Sequence, residues 1–396
     1  MLNCDNGTYD AWYWAHPPIY MPENCNLEDV EHIRKFVDIP VVCAGRMDPR
    51  VAADAIRDGR LDGAGFARQF LADQEWVTKL MNGQEDNIRP CILCHNGCFN
   101  MCHYKGVPND QALSDSLHLA RCAVNAETMQ WEKHKLVKTA SPKKVHIIGG
   151  GIGGMEAARV LKLRGHEPII HEKKGELGGT FIAASAESYK GKLRDLLTWY
   201  KKQMKDLHIE IHYNEEIRSL ETFAGSPVII ATGSVARVLK KVPGHEKMVE
   251  ACEYLTGTPV GEKVAVVGGG LTGCEIAYEL ALQGKKPVIV EMKDDLIAQT
   301  GVCLANSSYL REWFAWQKVP VYLKTTLQSV EDGKIICKDE TGKEITIPCD
   351  SVISSAGYLP NPLAEESRNV HLVGDCRQVG NLRSVVWRAY EAAMKI

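Results

Sequence analysis

The chain has 396 residues, 45% hydrophobic and 24% charged, with a formal net charge of −3. That length predicts two or three domains, and the near-neutral balance gives no electrostatic case for a nucleic-acid partner. Its longest apolar runs, such as residues 264–267 and 288–290, are far too short to span a bilayer, and the first residues carry no signal-peptide pattern. Fourteen cysteines are many for this length, and five fall within residues 91–122. This concentration predicts a metal cluster in a reducing cytoplasm in preference to a disulfide framework.

In chain order, residues 40–44 read as a buried strand closed by Gly45-Arg46, and 49–58 as a helix. A weaker strand over 63–66 and a helix over 72–81 follow. Strands alternating with helices predict βα units around a parallel sheet. The cysteine-rich stretch comes next, then a polar tract over 126–144 that reads as a linker. From Lys144 the chain is α/β again, with two similar units about 120 residues apart.

The first unit runs from an apolar strand into Gly149-Gly-Gly151-Ile-Gly-Gly154 and a helix rich in small residues. Gly149 permits a tight turn, Gly151 lets backbone approach a pyrophosphate, and Gly154 lets helix pack on strand. A second strand ends at Glu172, 23 residues beyond Gly149, where a carboxylate would hold a ribose diol. The second unit repeats this with Gly268, Gly270 and Gly273, and Glu291 again follows 23 residues after the first glycine. Two such units predict a tightly bound flavin dinucleotide and an exchangeable nicotinamide nucleotide. Glu291 favours NADH, because a carboxylate accepts from a 2′-hydroxyl and repels a 2′-phosphate; Lys293 nearby keeps NADPH open. Cys274 has no partner cysteine at redox spacing and reads as a small packing residue.

In the cysteine-rich stretch, Cys91, Cys94 and Cys98 follow Cys-x₂-Cys-x₃-Cys spacing on one loop, with Gly97 easing its bend. Soft thiolates in this arrangement suit iron–sulfur or zinc, and the absence of a second Cys-x₂-Cys pair favours iron–sulfur. Cys102 and Cys122 compete as fourth ligand. His95 and His103 read as solvated loop residues.

The motifs Glu176-Leu-Gly-Gly179, Ala231-Thr232-Gly233-Ser234 and Val370-His-Leu-Val-Gly-Asp375 resemble the FAD-domain motifs of two-dinucleotide-binding flavoprotein reductases. That resemblance gives FAD to the first unit, with Gly149, Gly151, Gly154, Glu172, Gly179, Thr232, Gly233 and Asp375, and NAD(P)H to an inserted second unit. Together with the cysteine loop, the whole chain resembles the C-terminal part of the iron–sulfur branch of the old yellow enzyme family. Its members include 2,4-dienoyl-CoA reductase, 2-enoate reductases and bile-acid-inducible NADH:flavin oxidoreductases. In these proteins an FMN-carrying TIM barrel precedes a four-cysteine loop and FAD and NAD(P)H domains. The resemblance places Cys91, Cys94, Cys98 and Cys122 on a [4Fe–4S] cluster, with an insertion around 105–120 accounting for the 23 residues between Cys98 and Cys122.

The same resemblance makes residues 1–88 the closing strands of the barrel. Gly45, Arg46, Ala67 and Arg68 would then meet an FMN phosphate, and Tyr9 would lie near the flavin. The aromatic run Trp12, Tyr13, Trp14 and His16 reads either as pocket lining or as packing. The expected fold is α/β: a partial TIM-barrel segment, an iron–sulfur loop over 89–142, an FAD domain over 143–258 and 351–396, and an NAD(P)H domain over 259–350. The implied activity is an NADH-dependent relay through FAD and [4Fe–4S] to FMN, reducing an activated C=C bond in an enoate, enoyl-CoA or steroid-like substrate. The barrel's first strands have no counterpart, so either the chain is part of a longer protein or a partner chain supplies them. An electron-input subunit and a truncated nucleotide-binding product are the alternatives, and a homo-oligomer stays open.

Overall fold

A computed structural model of the chain describes residues 1–8, 10–102, 120–299 and 301–396. Tyr9, His103 and residues 105–119 lie outside the described residues.

The N-terminal section holds β1 (Leu2–Cys4), α1 (Trp12–Ala15), α2 (Leu27–Arg34), β2 (Val41–Ala44), α3 (Pro49–Arg57), β3 (Gly63–Gly65), α4 (Arg68–Ala72) and α5 (Trp76–Met81). Its three strands pair in parallel in chain order, Leu2 beside Val41 and Val42 beside Gly63. Val41 and Cys43 are buried with Val30, Ala52, Ala55 and Leu61, so α2 and α3 cover the sheet. Pro49 at the first helical position and Asp48, accepting from the Arg50 and Val51 amides at 2.9 and 3.1 Å, start α3. The helix expected over 72–81 is instead two, broken at Asp73, which is extended. The Asp73 carboxylate accepts from the Arg89 amide at 2.9 Å and the Lys79 ammonium at 2.7 Å, an anchoring that a continuous helix would forbid.

After α6 (Phe99–Cys102) the tract read as a linker is packed at its start: Ala126, Thr128, Gln130 and His134 are buried. Next come β4 (Lys144–Ile148), α7 (Ile152–Leu163), β5 (Glu167–Glu172), α8 (Phe181–Ala184), α9 (Gly191–Asp206), β6 (Glu210–Tyr213), β7 (Val228–Ile230) and β8 (Ser234–Ala236). Then follow β9 (Val249–Glu250), α10 (Ala251–Leu255), β10 (Lys263–Val267), α11 (Leu271–Leu282), β11 (Lys286–Val290), α12 (Leu304–Trp316) and β12 (Val321–Tyr322). The chain ends with β13 (Thr326–Glu331), β14 (Lys334–Lys338), β15 (Glu344–Pro348), β16 (Ser351–Ser354), β17 (Tyr358–Pro360), β18 (Val370–Leu372) and α13 (Leu382–Lys395).

Two five-stranded parallel sheets organise this part, in the orders β18-β7-β4-β5-β6 and β12-β11-β10-β16-β9. Their central strands β4 and β10 are apolar and covered on both faces, as parallel sheets require. Because β18 completes the first sheet, all strands of the second lie between β7 and β18 in sequence. β13, β14 and β15 form an antiparallel sheet, and β8 pairs with β17. α13 packs on α7, burying Trp387, Tyr390 and Ala393 with Met155 and Ala158. Among the described residues no helix is long and apolar enough to cross a membrane.

Candidate functional site

The two glycine turns share one geometry. Gly149 and Gly268 both have φ of +109°, which L side chains rarely adopt. A Cβ on Gly154 would run into the Gly149 carbonyl oxygen, and one on Gly273 into that of Gly268. Glu172 accepts from the Gly150 amide at 2.7 Å and the Lys174 amide at 2.8 Å. Glu291 accepts from the Gly269 amide at 2.6 Å and the Lys293 amide at 2.8 Å. Each carboxylate is thereby held at its strand end, beside the helix N-terminus where a dinucleotide's ribose and pyrophosphate meet. Cys274 is buried and donates its S–H to the Gly269 carbonyl at 3.3 Å, a packing role.

The start of α7 carries no side-chain cap, so its first amides are available to a ligand. It opens on a cavity of about 650 Å³. One wall holds Gly151, Gly178, Gly233 and Asp375; a second, Leu271 and Thr272 at the start of α11; a third, Ile92, Cys94 and Ala123 of the cysteine loop. Of the other residues expected here, Gly179 packs against Gly151, and the Thr232 hydroxyl donates to the Asn361 carbonyl at 2.5 Å. Burial pushes the Asp375 carboxyl above the usual range, although the Gly380 amide donates to it at 3.1 Å.

Cys91, Cys94, Cys98 and Cys122 line one small cavity. The distant Cys122 is brought in by the Arg121 amide, which donates to the Gly97 carbonyl at 2.6 Å, and by Trp387, whose indole donates to the Cys122 carbonyl at 2.9 Å. A Cβ on Gly97 would sit 2.6 Å from the Ala123 nitrogen, so close approach of the two segments, beyond a loop bend, is what requires glycine there. Burial, with Cys91 close by, pushes the Cys94 thiol up to about 11 and the Cys122 thiol up to about 12. Such thiols become ligands when a cation replaces their protons.

Four cysteines gathered around one small cavity form a donor set that suits soft-metal chemistry, a zinc ion or an iron–sulfur cluster. His95 is buried and uses its ring nitrogens on Asn306, at 2.9 Å, and on the Arg68 guanidinium. Burial, then Arg68, push its pKa well below the ordinary value, so it is a neutral packing group and not a solvated loop residue.

Gly45 and Arg46 follow β2, and Ala67 and Arg68 follow β3, at the same end of the sheet. The Arg46 guanidinium donates to the Pro18 and Ile19 carbonyls at 2.9 and 3.1 Å, and Arg68 to the Pro17 carbonyl at 3.1 Å. Trp12 and Tyr13 are packed, Tyr13 edge-on to Tyr309 and donating to Glu312 at 2.7 Å. One cluster escapes sequence reasoning altogether. Lys190 sits 2.8 Å from Glu275 and 3.1 Å from Glu187, and the Tyr20 hydroxyl donates to Glu275 at 2.8 Å. Tyr20, Lys190 and Glu275 line the large cavity, tying three distant segments together. Burial pushes the Glu187 carboxyl up against the pull of Lys190, whose own ammonium its two carboxylates hold charged.

Residues 143–379 match the family model described as pyridine nucleotide-disulphide oxidoreductase. A cinnamate reductase of Clostridium sporogenes is 37% identical over 405 residues, covering 100% of this chain and 59% of that protein. A bilirubin reductase of Mediterraneibacter gnavus is 31% identical, covering 92% of this chain and 56% of that protein. A 2-naphthoyl-CoA reductase complex superimposes with a TM-score of 0.82 at 25% identity, covering 96% of this chain and 57% of that one. The chain therefore spans less than two thirds of the length of these relatives. The expected fold, tandem dinucleotide-binding units behind a partial barrel, is borne out, as is the resemblance to the iron–sulfur branch of the old yellow enzyme family. The chain belongs to the pyridine nucleotide-disulphide oxidoreductase family, whose two nucleotide sites take FAD and a pyridine nucleotide.

Proposed function

We propose that the chain is the NADH-oxidising end of an iron–sulfur flavoprotein that reduces an activated C=C bond. The observation carrying this reading is the single cavity walled by the first glycine turn, the start of α11 and the cysteine loop. Redox partners held on those three walls would be adjacent. The first unit takes FAD, through Gly149, Gly151, Gly154, Glu172, Gly179, Thr232, Gly233 and Asp375. The second takes NADH, through Gly268, Gly270, Gly273 and Glu291. Cys91, Cys94, Cys98 and Cys122 hold [4Fe–4S].

Bound there, these groups supply hydride exchange at flavin and nicotinamide and single-electron transfer at the cluster. The protein's own part is positioning. Amides at the starts of α7 and α11 bind pyrophosphate, Glu172 and Glu291 orient the riboses, and the Lys190–Glu275–Tyr20 clasp fixes the two units against each other. The division is 1–88 barrel segment, 89–142 cluster loop, 143–258 with 351–396 FAD domain, and 259–350 NADH domain.

With the barrel completed by further chain or by a partner, Gly45, Arg46, Ala67 and Arg68 would hold the FMN phosphate and Tyr9 would approach the substrate. The three parallel strands β1–β3 favour this over a dedicated electron-input subunit, which needs no barrel. The names of the relatives, reductases of cinnamate, bilirubin and 2-naphthoyl-CoA, support a small unsaturated substrate. A cytoplasmic location accords with the free thiols.

Cofactor content of anaerobically purified protein tests the reading. FAD together with iron and acid-labile sulfide is expected. Protein with FAD and neither iron nor sulfide would remove the cluster from the proposal.

A further inference from the structure

Three histidines stand side by side on one face of the first sheet. Ile148 pairs with His171 and His171 with His212, while His146 lies two residues before Ile148. Strand alternation therefore puts all three imidazoles on the same face. Phe223 covers two of them, stacked on His146 with ring centroids 4.3 Å apart and 5.0 Å from His171. Two carboxylates join the group. Glu215 Oε2 lies 2.6 Å from His171 Nδ1 and 3.1 Å from His212 Nδ1, and Glu210 Oε1 lies 2.8 Å from His212 Nε2. None of these side chains takes part in the nucleotide or cluster sites described above.

We infer that His171 Nδ1, His212 Nδ1 and Glu215 Oε2 form a site for one divalent first-row transition ion of the zinc type. The ligand atoms of the three residues all lie within 4.8 Å of one another. Ligands of one tetrahedral zinc ion, bound at about 2.0–2.2 Å, lie roughly 3.3–3.6 Å apart, so the contacts of 2.6 and 3.1 Å to Glu215 need to widen by less than about 1 Å to admit the ion. The second observation is the outer layer. His171 Nε2 lies 2.9 Å from His146 Nδ1, and His212 Nε2 is held by Glu210. Each ligating imidazole thus has its other nitrogen engaged, the arrangement that fixes tautomer and ring direction in metal sites.

His171 is 4% exposed, while His212 and Glu215 are 43% and 41% exposed, so one ligand is anchored in the sheet and two face the solvent from which an ion enters. Imidazole with carboxylate selects zinc-like ions over calcium or magnesium. An ion here would pin edge strand β6 to β5, next to Glu172, whose carbonyl accepts the Glu215 amide at 3.0 Å.

Equilibrium dialysis of the intact chain, cofactors retained, against zinc, with zinc-edge X-ray absorption on the bound ion, tests this. One equivalent with nitrogen and oxygen neighbours at about 2.0–2.2 Å and no sulfur shell near about 2.3 Å is expected. His212→Ala and Glu215→Gln should each abolish that equivalent, and Glu210→Gln should weaken it by about tenfold to a hundredfold. Both ligand variants lie at the surface; if His212→Ala fails to fold by circular dichroism, Glu215→Gln decides alone. No zinc uptake by the wild type, a sulfur shell, or uptake unchanged in Glu215→Gln would overturn the site.

Discussion

The turn after β4 and the turn after β10 place the same atoms in the same positions, yet they meet different surroundings. Gly150 donates to Glu172 at 2.7 Å and Gly269 to Glu291 at 2.6 Å. The start of α7 has no side-chain cap and faces the large cavity. At the start of α11 the Leu271 amide instead donates to Gln299 Oε1 at 3.0 Å. A glutamine oxygen thus occupies a donor that a pyrophosphate oxygen would take, and a nucleotide binding there must displace it. Under the proposed assignment, one backbone design would serve two tasks: an open cradle for a resident dinucleotide, and a self-satisfied one for a dinucleotide that comes and goes.

The largest expected effects divide the two turns directly. Gly154→Ala drives a methyl into the Gly149 carbonyl, and Gly273→Ala does the same at Gly268. The first variant should purify without flavin absorbance; the second should keep its flavin and lose its reduction by NADH. Equal flavin loss in both would show that the units do not divide the nucleotides as proposed. Lys190→Met tests the joint between the units. Removing one partner of a buried ion pair costs about 3–5 kcal/mol, read as a fall in urea midpoint, whereas the exposed Lys201–Glu176 pair should contribute under about 1 kcal/mol.

A smaller effect sharpens the choice of nicotinamide. Glu291→Gln weakens charged hydrogen bonding by about 1–2 kcal/mol, roughly a tenfold fall in kcat/KM for NADH, with a relative gain for NADPH. An unchanged ratio would take Glu291 out of ribose recognition. The smallest concerns Gln299. Freeing the α11 amide from one neutral hydrogen bond of about 1 kcal/mol should lower the KM for NADH by a few-fold in Gln299→Ala. A raised KM would mean that Gln299 assists the nucleotide instead of competing with it.

Legibility in the sequence follows separation along the chain. Each glycine turn and its carboxylate lie 23 residues apart within one βαβ unit, so pattern alone located them. Cys122 was legible through family resemblance, because the Gly97 contact and the Trp387 brace that position it belong to tertiary structure. The Tyr20–Glu275–Lys190 clasp joins residues 255 and 85 positions apart and leaves no local trace. Arg46 and Arg68 read as phosphate ligands from their place after barrel strands, yet both donate to carbonyls of residues 17–19 here. His95, read as a solvated loop residue, is buried because its loop folds onto Asn306 at the start of α12, which no local spacing announces.

The central claim is that NADH bound at the second turn reduces the flavin held by the first. Anaerobic titration of the purified, flavin-loaded chain with NADH, followed at the flavin absorbance, tests it most directly. Bleaching that is complete near one equivalent of NADH per flavin, beyond what the cluster itself consumes, is the predicted result. A flavin spectrum unchanged by excess NADH, in protein that dithionite still reduces, would contradict it.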